Sequence, residues 1–382
     1  VKFDEYLRSR ELTETEIIGL LQAHIQLLPG EMVFASGSVV EGIGNIYSDL
    51  DLFVVTDRDL SSLRTGLPTV ILCRETPIDI EVWSPEDIRR TVQRICSVCD
   101  KLDDDSRYAL GPTLKELDLL HRFSIGRPLV HAEVFHEYRE LAATASLSRI
   151  LFARAQSVIN ILQQDVAGHL WEGDGESARL IAQRLAGAAF DCVLAAFGNT
   201  NPSEKWRLGK LTMLPAGEVE SLLDRTPFRS LREAALFFLT FVGSGDCFEY
   251  CFEVVRLANA LLPWCQYRLR GHALDSRIPI SRERPASASR SLPRLDLLTQ
   301  IRLEGEALCV SHIRKPTNLL FNSLAHNLLL SFDGETTPQE AANLVVRGAS
   351  NVDVALTIVA DMTRVFAAHG LLSTTSSETS AA

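Results

Sequence analysis

The apolar residues change period partway along this chain, and that change limits the folds open to it. At residues 32–35, 50–56, 69–73 and 78–83 they come in short runs broken by Gly, Ser or Pro, the pattern of strands between turns. Helical signals flank these runs. Residues 14–28 repeat at helical spacing and stop at Pro29-Gly30, while Pro85 opens a segment whose first turn holds Glu86 and Asp87, well placed against a helix dipole. Past Arg107 the strand signal fades, and residues 147–162, 177–197 and 231–262 keep the helical period.

Short strands return near the end. Residues 297–303, 307–313 and 318–321 read as strands, followed by a helix at 323–331 and the turn Asp333-Gly334. A second helix starts at Thr337 with a capping box to Glu340, and a last one, 352–369, closes at Gly370. The stretch 271–296, which includes Pro285 and is rich in Ser, Pro and Arg, has little to bury and reads as a linker. The expected architecture is an α+β core over 1–104, an all-helical bundle over 105–270, the linker, a small winged-helix-like domain of three strands and three helices over 297–373, and a frayed tail at 374–382. A chain of 382 residues is too long for a single core, in keeping with such a division.

Composition narrows the function. The net charge of −11 repels polyanions, which argues against general nucleic-acid binding. No apolar run is long enough to span a membrane and residues 1–10 are charged, so a cytoplasmic protein without membrane contact is expected. Of eight cysteines only Cys96 and Cys99 show C-x-x-C spacing, with no second pair to complete a zinc site; reduced core thiols are expected.

One segment carries chemistry. In a strand, residues two apart share a face, so Asp49 and Asp51 present two carboxylates about 7 Å apart on a run that is otherwise apolar. Their repulsion is offset by a cation, and hard oxygen donors suit Mg²⁺ bridging substrate phosphates. Upstream, Gly37 lets a phosphate approach the backbone and Ser38 offers a hydroxyl and an amide at the turn. A third acid comes from the strand holding Asp79 and Glu81, either of which could ligate metal or accept a proton; Asp79 is the preferred one.

Gly37-Ser38, Asp49-Leu50-Asp51 and the later Asp79 or Glu81 together resemble the nucleotidyltransferase superfamily that includes DNA polymerase beta and the aminoglycoside nucleotidyltransferases. The resemblance covers residues 30–100. It implies transfer of a nucleotidyl group from ATP or another NTP with release of pyrophosphate, two Mg²⁺ ions, metal ligands at Asp49, Asp51 and Asp79, and phosphate contacts at Gly37 and Ser38. It extends to the run Asn201-Pro202-Ser203-Glu204-Lys205-Trp206, similar to one in helical domains of small-molecule nucleotidyltransferases, and implies that Lys205 or Lys210 reaches the triphosphate.

Residues 297–373, with Asn322, the Asp333-Gly334 turn, Thr337 and Gly370-Leu371-Leu372, resemble the PqqD-like family. That family recognises leader peptides of ribosomally made, modified peptides by adding them as a strand to its sheet. The resemblance implies a precursor or leader peptide as partner, read by Thr317, Asn318, Leu319, Leu320 and Phe321, and so an enzyme that adenylylates a peptide or peptide-derived acceptor. Two rival expectations are a small cationic, aminoglycoside-like acceptor, and a non-catalytic binding or regulatory protein.

Overall fold

The four runs read as strands between residues 32 and 83 assemble into one sheet whose order brings the acidic residues together. The computed structural model describes residues 2–58, 69–103, 105–224, 226–240, 246–274, 276–278, 291–345 and 352–373. Half of the expected linker, including Pro285, and the tail 374–382 lie outside the described residues.

The described residues divide into two compact units, 1–154 with 199–210, and 155–198 with 211–382. The first holds a five-stranded mixed sheet: β1 (Met32–Ser36), β2 (Leu50–Val55), β3 (Thr69–Cys73), β4 (Thr76–Trp83) and β5 (Arg127–Val130), in the order β3-β4-β2-β1-β5. Only β2 and β4 run parallel. Six helices accompany it: α1 (Phe3–Ser9), α2 (Glu14–Ile25), α3 (Gly37–Glu41), α4 (Pro85–Cys99), α5 (Leu114–Ile125) and α6 (Ala132–Ala143). The starts of α2, α4 and α5 are capped as residue type dictates, by Thr13 with Glu16, Ser84 with Asp87 and Thr113 with Glu116.

Strand alternation sorts the core into two layers. Val33, Ala35, Leu50, Leu52, Val54, Ile78 and Ile80 pack with Tyr6, Ile17 and Leu21 from α1 and α2. Met32, Phe34, Phe53 and Val55 pack on the opposite face with Ile88 and Val92 of α4, Leu120 and Phe123 of α5, and Phe135 of α6. Phe34 stacks on Phe53 at 5.0 Å. This sheet extends beyond the expected boundary at 104, because β5 pairs with β1.

The second unit contains α8 (Gly175–Ala196), α10 (Ala216–Leu223), α11 (Leu231–Leu239) and α12 (Cys247–Leu269); α7 (Leu147–Trp171) and α9 (Arg207–Leu211) span its two junctions with the first. The run 231–262 therefore forms two helices rather than one. A three-stranded antiparallel sheet follows, β6 (Thr299–Glu304), β7 (Ala307–His312) and β8 (Lys315–Phe321), in that order, then α13 (His326–Leu330), α14 (Pro338–Val345) and α15 (Val352–Ala368). The Thr337–Glu340 capping box forms as expected.

This sheet is not separate from the helices preceding it. Gln163 Nε2 donates to the carbonyls of Leu297 (2.6 Å) and Thr299 (3.1 Å). Asn259 donates to Thr299 O at 3.1 Å and accepts from Ile301 N at 3.0 Å, and Gln266 accepts from Leu303 N at 2.7 Å. Side-chain amides of α7 and α12 thus satisfy the outer edge of β6, which corrects the expectation of a bundle and a C-terminal domain with independent cores. Arg294 adds a bidentate pair with Glu249 (2.5 and 2.6 Å). Gly334, at φ +76°, permits this, since a Cβ there would come within 2.5 Å of Arg294 Nε.

Among the described residues no helix is long and apolar enough to cross a membrane. None of the eight cysteines is in a disulfide.

Candidate active site

One row of residues crosses the sheet on the Phe34–Phe53 face. Ser36 lies level with Asp51, Asp51 with Asp79, and Asp79 with Val70. Directly paired residues point to the same side, so Asp51 and Asp79 stand next to each other on adjacent strands. Glu81 falls one step further along, level with Phe53, and its carboxylate accepts from Trp83 Nε1 at 3.1 Å. The sequence offered Asp79 or Glu81 as third acid, with Asp79 preferred; the register sets Asp79 beside Asp51.

The carboxylates feel one another. Burial and the charges of Asp49, Asp79 and Asp118 push Asp51 up to about 6, against the pull of Arg122. Burial also raises Asp79, with Asp49 and Glu81 adding to the rise and Arg122 opposing it. Arg122 of α5 lies 3.4 Å from Asp51 and 2.6 Å from Asp118, with its guanidinium over the Phe53 ring.

Gly37 is set by contact as well as by conformation. Its φ is +79°, and a Cβ there would fall 1.8 Å from Asp51 Oδ2. Where the sequence suggested a loop, Gly37 starts the short helix α3. Ser38 is partly exposed, and among the described residues its hydroxyl has no hydrogen-bond partner; its carbonyl accepts from Ile43 N (3.0 Å) and Gly44 N (2.7 Å). The segment between α3 and β2 is braced by α1 and its C-cap: the Tyr6 hydroxyl donates to the Ser48 carbonyl and Arg10 to that of Ile46.

Among the described residues no three or more His, Cys, Asp or Glu side chains are grouped as ligands of one metal ion. Asp49 stands exposed just before β2, and Arg122 lies against Asp51. The donor set still fits a hard divalent cation: all oxygen, mutually repelling, and bounded by a glycine that admits nothing larger.

Segment 199–210 belongs to the first unit. Lys205 is exposed, with its ammonium 4.7 Å from the Trp206 ring centre. Lys210 is 3 % exposed and donates to the carbonyls of Asn201 (2.9 Å) and Ser203 (3.0 Å). The expectation that Lys210 meets a phosphate therefore gives way to a structural role, the tying of its own loop.

Thr317, Asn318, Leu319, Leu320 and Phe321 all lie on β8, the edge strand opposite the sealed β6. Asn318 and Leu320 face outward, Leu320 being 62 % exposed, while Phe321 meets Phe366 of α15 edge-on at 5.9 Å.

Sequence reasoning missed Arg122 and Glu41. A lone arginine inside the apolar period of 117–123 was the available signal for the first; nothing local marks the second.

No family model matches this chain, and no curated protein matches it.

Proposed function

We propose that this protein is a Mg²⁺-dependent nucleotidyltransferase. The observation that carries the reading is the pairing of Asp51 with Asp79 on neighbouring parallel strands, with Asp49 just before the first of them and Gly37 pressed to Asp51. Asp49, Asp51 and Asp79 would hold the metal, which when bound neutralises charge on the phosphates. Ser38, whose hydroxyl has no hydrogen-bond partner among the described residues, and exposed Lys205 would bind phosphate oxygens of ATP or another NTP. The acceptor oxygen or nitrogen bonds to the α-phosphorus as the bond to pyrophosphate breaks. Asp79 or Glu81, on the strand beside Asp51, would take the acceptor's proton.

For the acceptor, the open edge of β8 beside α15 favours a peptide captured as an added strand, in the manner of PqqD-like domains. The net charge of −11 favours instead a small cationic acceptor such as an aminoglycoside-like alcohol. Incubation with α-labelled NTPs and Mg²⁺, with and without a precursor peptide encoded beside the gene, tests both. Label on the peptide supports the first acceptor and label on an aminoglycoside the second. Absence of any metal-dependent turnover or NTP binding would leave a non-catalytic protein.

A further inference from the structure

Glu41, the last residue of α3, carries a carboxylate that the chemistry above does not use. Its Oε2 accepts a 2.5 Å hydrogen bond from Asn201 Nδ2 and lies 3.5 Å from His121 Nε2, and its side chain is 10 % exposed. Asn201 is engaged on every side. Its Oδ1 accepts from Ser203 N at 2.9 Å, its N–H donates to Asn199 Oδ1 at 3.0 Å, and its carbonyl accepts from Lys210. The other ring nitrogen of His121 meets Thr200 Oγ1 at 2.9 Å, and that hydroxyl lies 3.0 Å from Ser124 Oγ. A loop that arrives 160 residues later is thereby fixed to α3 and α5 through one buried carboxylate.

Such a network is costly to bury unless it does something rigidity alone requires. Ser38 is the second residue of the helix that Glu41 ends, and Lys205 rides on the loop that Asn201 anchors. We propose that Glu41 is a positioning residue: by clamping Asn201 it fixes Lys205 relative to Ser38, so that one triphosphate is gripped from both sides. The functional half rests on the nucleotidyl-transfer reading. The clamp itself does not.

Full-length protein carrying Glu41→Ala, Asn201→Ala, both together, or Glu41→Gln tests this with two readouts. Hydrogen exchange should quicken across 199–206 in either alanine variant and stay near wild type in Glu41→Gln, which keeps an acceptor for Asn201. With Mg²⁺, the Kd and KM for ATP should rise about tenfold, the worth of one charge-assisted hydrogen bond, while kcat at saturation holds. The double variant should be no worse than either single one. Thr200→Val, which cuts only the His121 branch, serves if the alanine variants fail to fold and should give a smaller rise of the same kind. Unchanged exchange in 199–206, additive effects of the two alanines, or an equal fall in kcat with unchanged KM would overturn the proposal. If exchange quickens but wild type binds no ATP, the clamp stands and its role in gripping nucleotide is refuted.

Discussion

Asp79 lies level with Asp51 across the parallel β2–β4 pair, one strand away, and Val70 on β3 is the next residue in that row. Placing two carboxylates in adjacent, half-buried positions makes each harder to ionise, and the consequences are measurable.

Asp51→Asn should abolish nucleotidyl transfer yet stabilise the metal-free protein. Its folded value of about 6 lies above the ordinary 3.8, so the folded state holds the proton more tightly than the unfolded chain. The resulting penalty is absent below pH 4, grows through pH 4–6 and is complete at pH 7. The variant should therefore gain about 1–3 kcal/mol at pH 7 and nothing at pH 3.5. Urea melts in EDTA across this range check it; a gain at low pH, or none at pH 7, would show that Asp51 is not strained by its neighbours.

Asp79→Asn and Glu81→Gln should part company. Asp79 stands beside Asp51, whereas Glu81 is level with Phe53 and engaged by the Trp83 indole. Loss of a metal ligand or proton acceptor should lower kcat by about 10² or more in Asp79→Asn, while Glu81→Gln stays within about fivefold. Similar, mild losses in both would move the third acid elsewhere.

Gly37→Ala and Gly42→Ala separate backbone strain from collision. Both glycines have positive φ, +79° and +85°, but a Cβ on Gly42 meets nothing within 4 Å while one on Gly37 strikes Asp51. Gly42→Ala should cost about 1 kcal/mol and retain metal-dependent ATP binding. Gly37→Ala should cost more and lose that binding, because Asp51 must move. Calorimetric melts and ATP titration distinguish them.

A chain ending at Pro285 should not keep a sound second unit. Removing β6 strands the amides of Gln163 and Asn259 without their backbone partners, and each orphaned buried group costs about 1–3 kcal/mol. The shortened chain should melt earlier and bind a hydrophobic dye; a melt as sharp and as high as that of the full chain would show that the helices stand alone.

Pro at position 319 or 320 of β8 should weaken capture of a precursor peptide while metal-dependent ATP binding survives. Proline removes a backbone donor, and adjacent residues of a strand turn their N–H groups to opposite edges, so one substitution should weaken binding and the other perturb the pairing with β7. Titration of full-length variants with the peptide by calorimetry reads this out; equal affinity in both variants would exclude strand addition.

Much of the first sheet was legible because its strands are short apolar runs that need no distant partner to be recognised: Thr69–Cys73 was bounded correctly, and β2 and β4 within two residues. β5 was not, since Arg127-Pro128-Leu129-Val130 is too short and too partly buried to signal a strand; pairing with β1 makes it one. The acidic row was legible as D-x-D and D-x-E, but the choice between Asp79 and Glu81 depends on register, which no local pattern encodes. Glu41 and Asn201 are ordinary polar residues until the fold brings them together across the chain. The same holds for Gln163 and Asn259, which are helix residues in sequence and edge seals in the fold.

Those seals have one further consequence. A sheet with two bare borders can be extended without limit, molecule upon molecule; this C-terminal sheet has one border already closed by Gln163, Asn259 and Gln266 and one left bare at β8. Growth of the sheet can proceed only from that edge. If the visitor is a second copy of the chain, joined β8 to β8, the result is a pair with no border remaining, so crowding of this protein through that strand would stop at two rather than run on into a fibre.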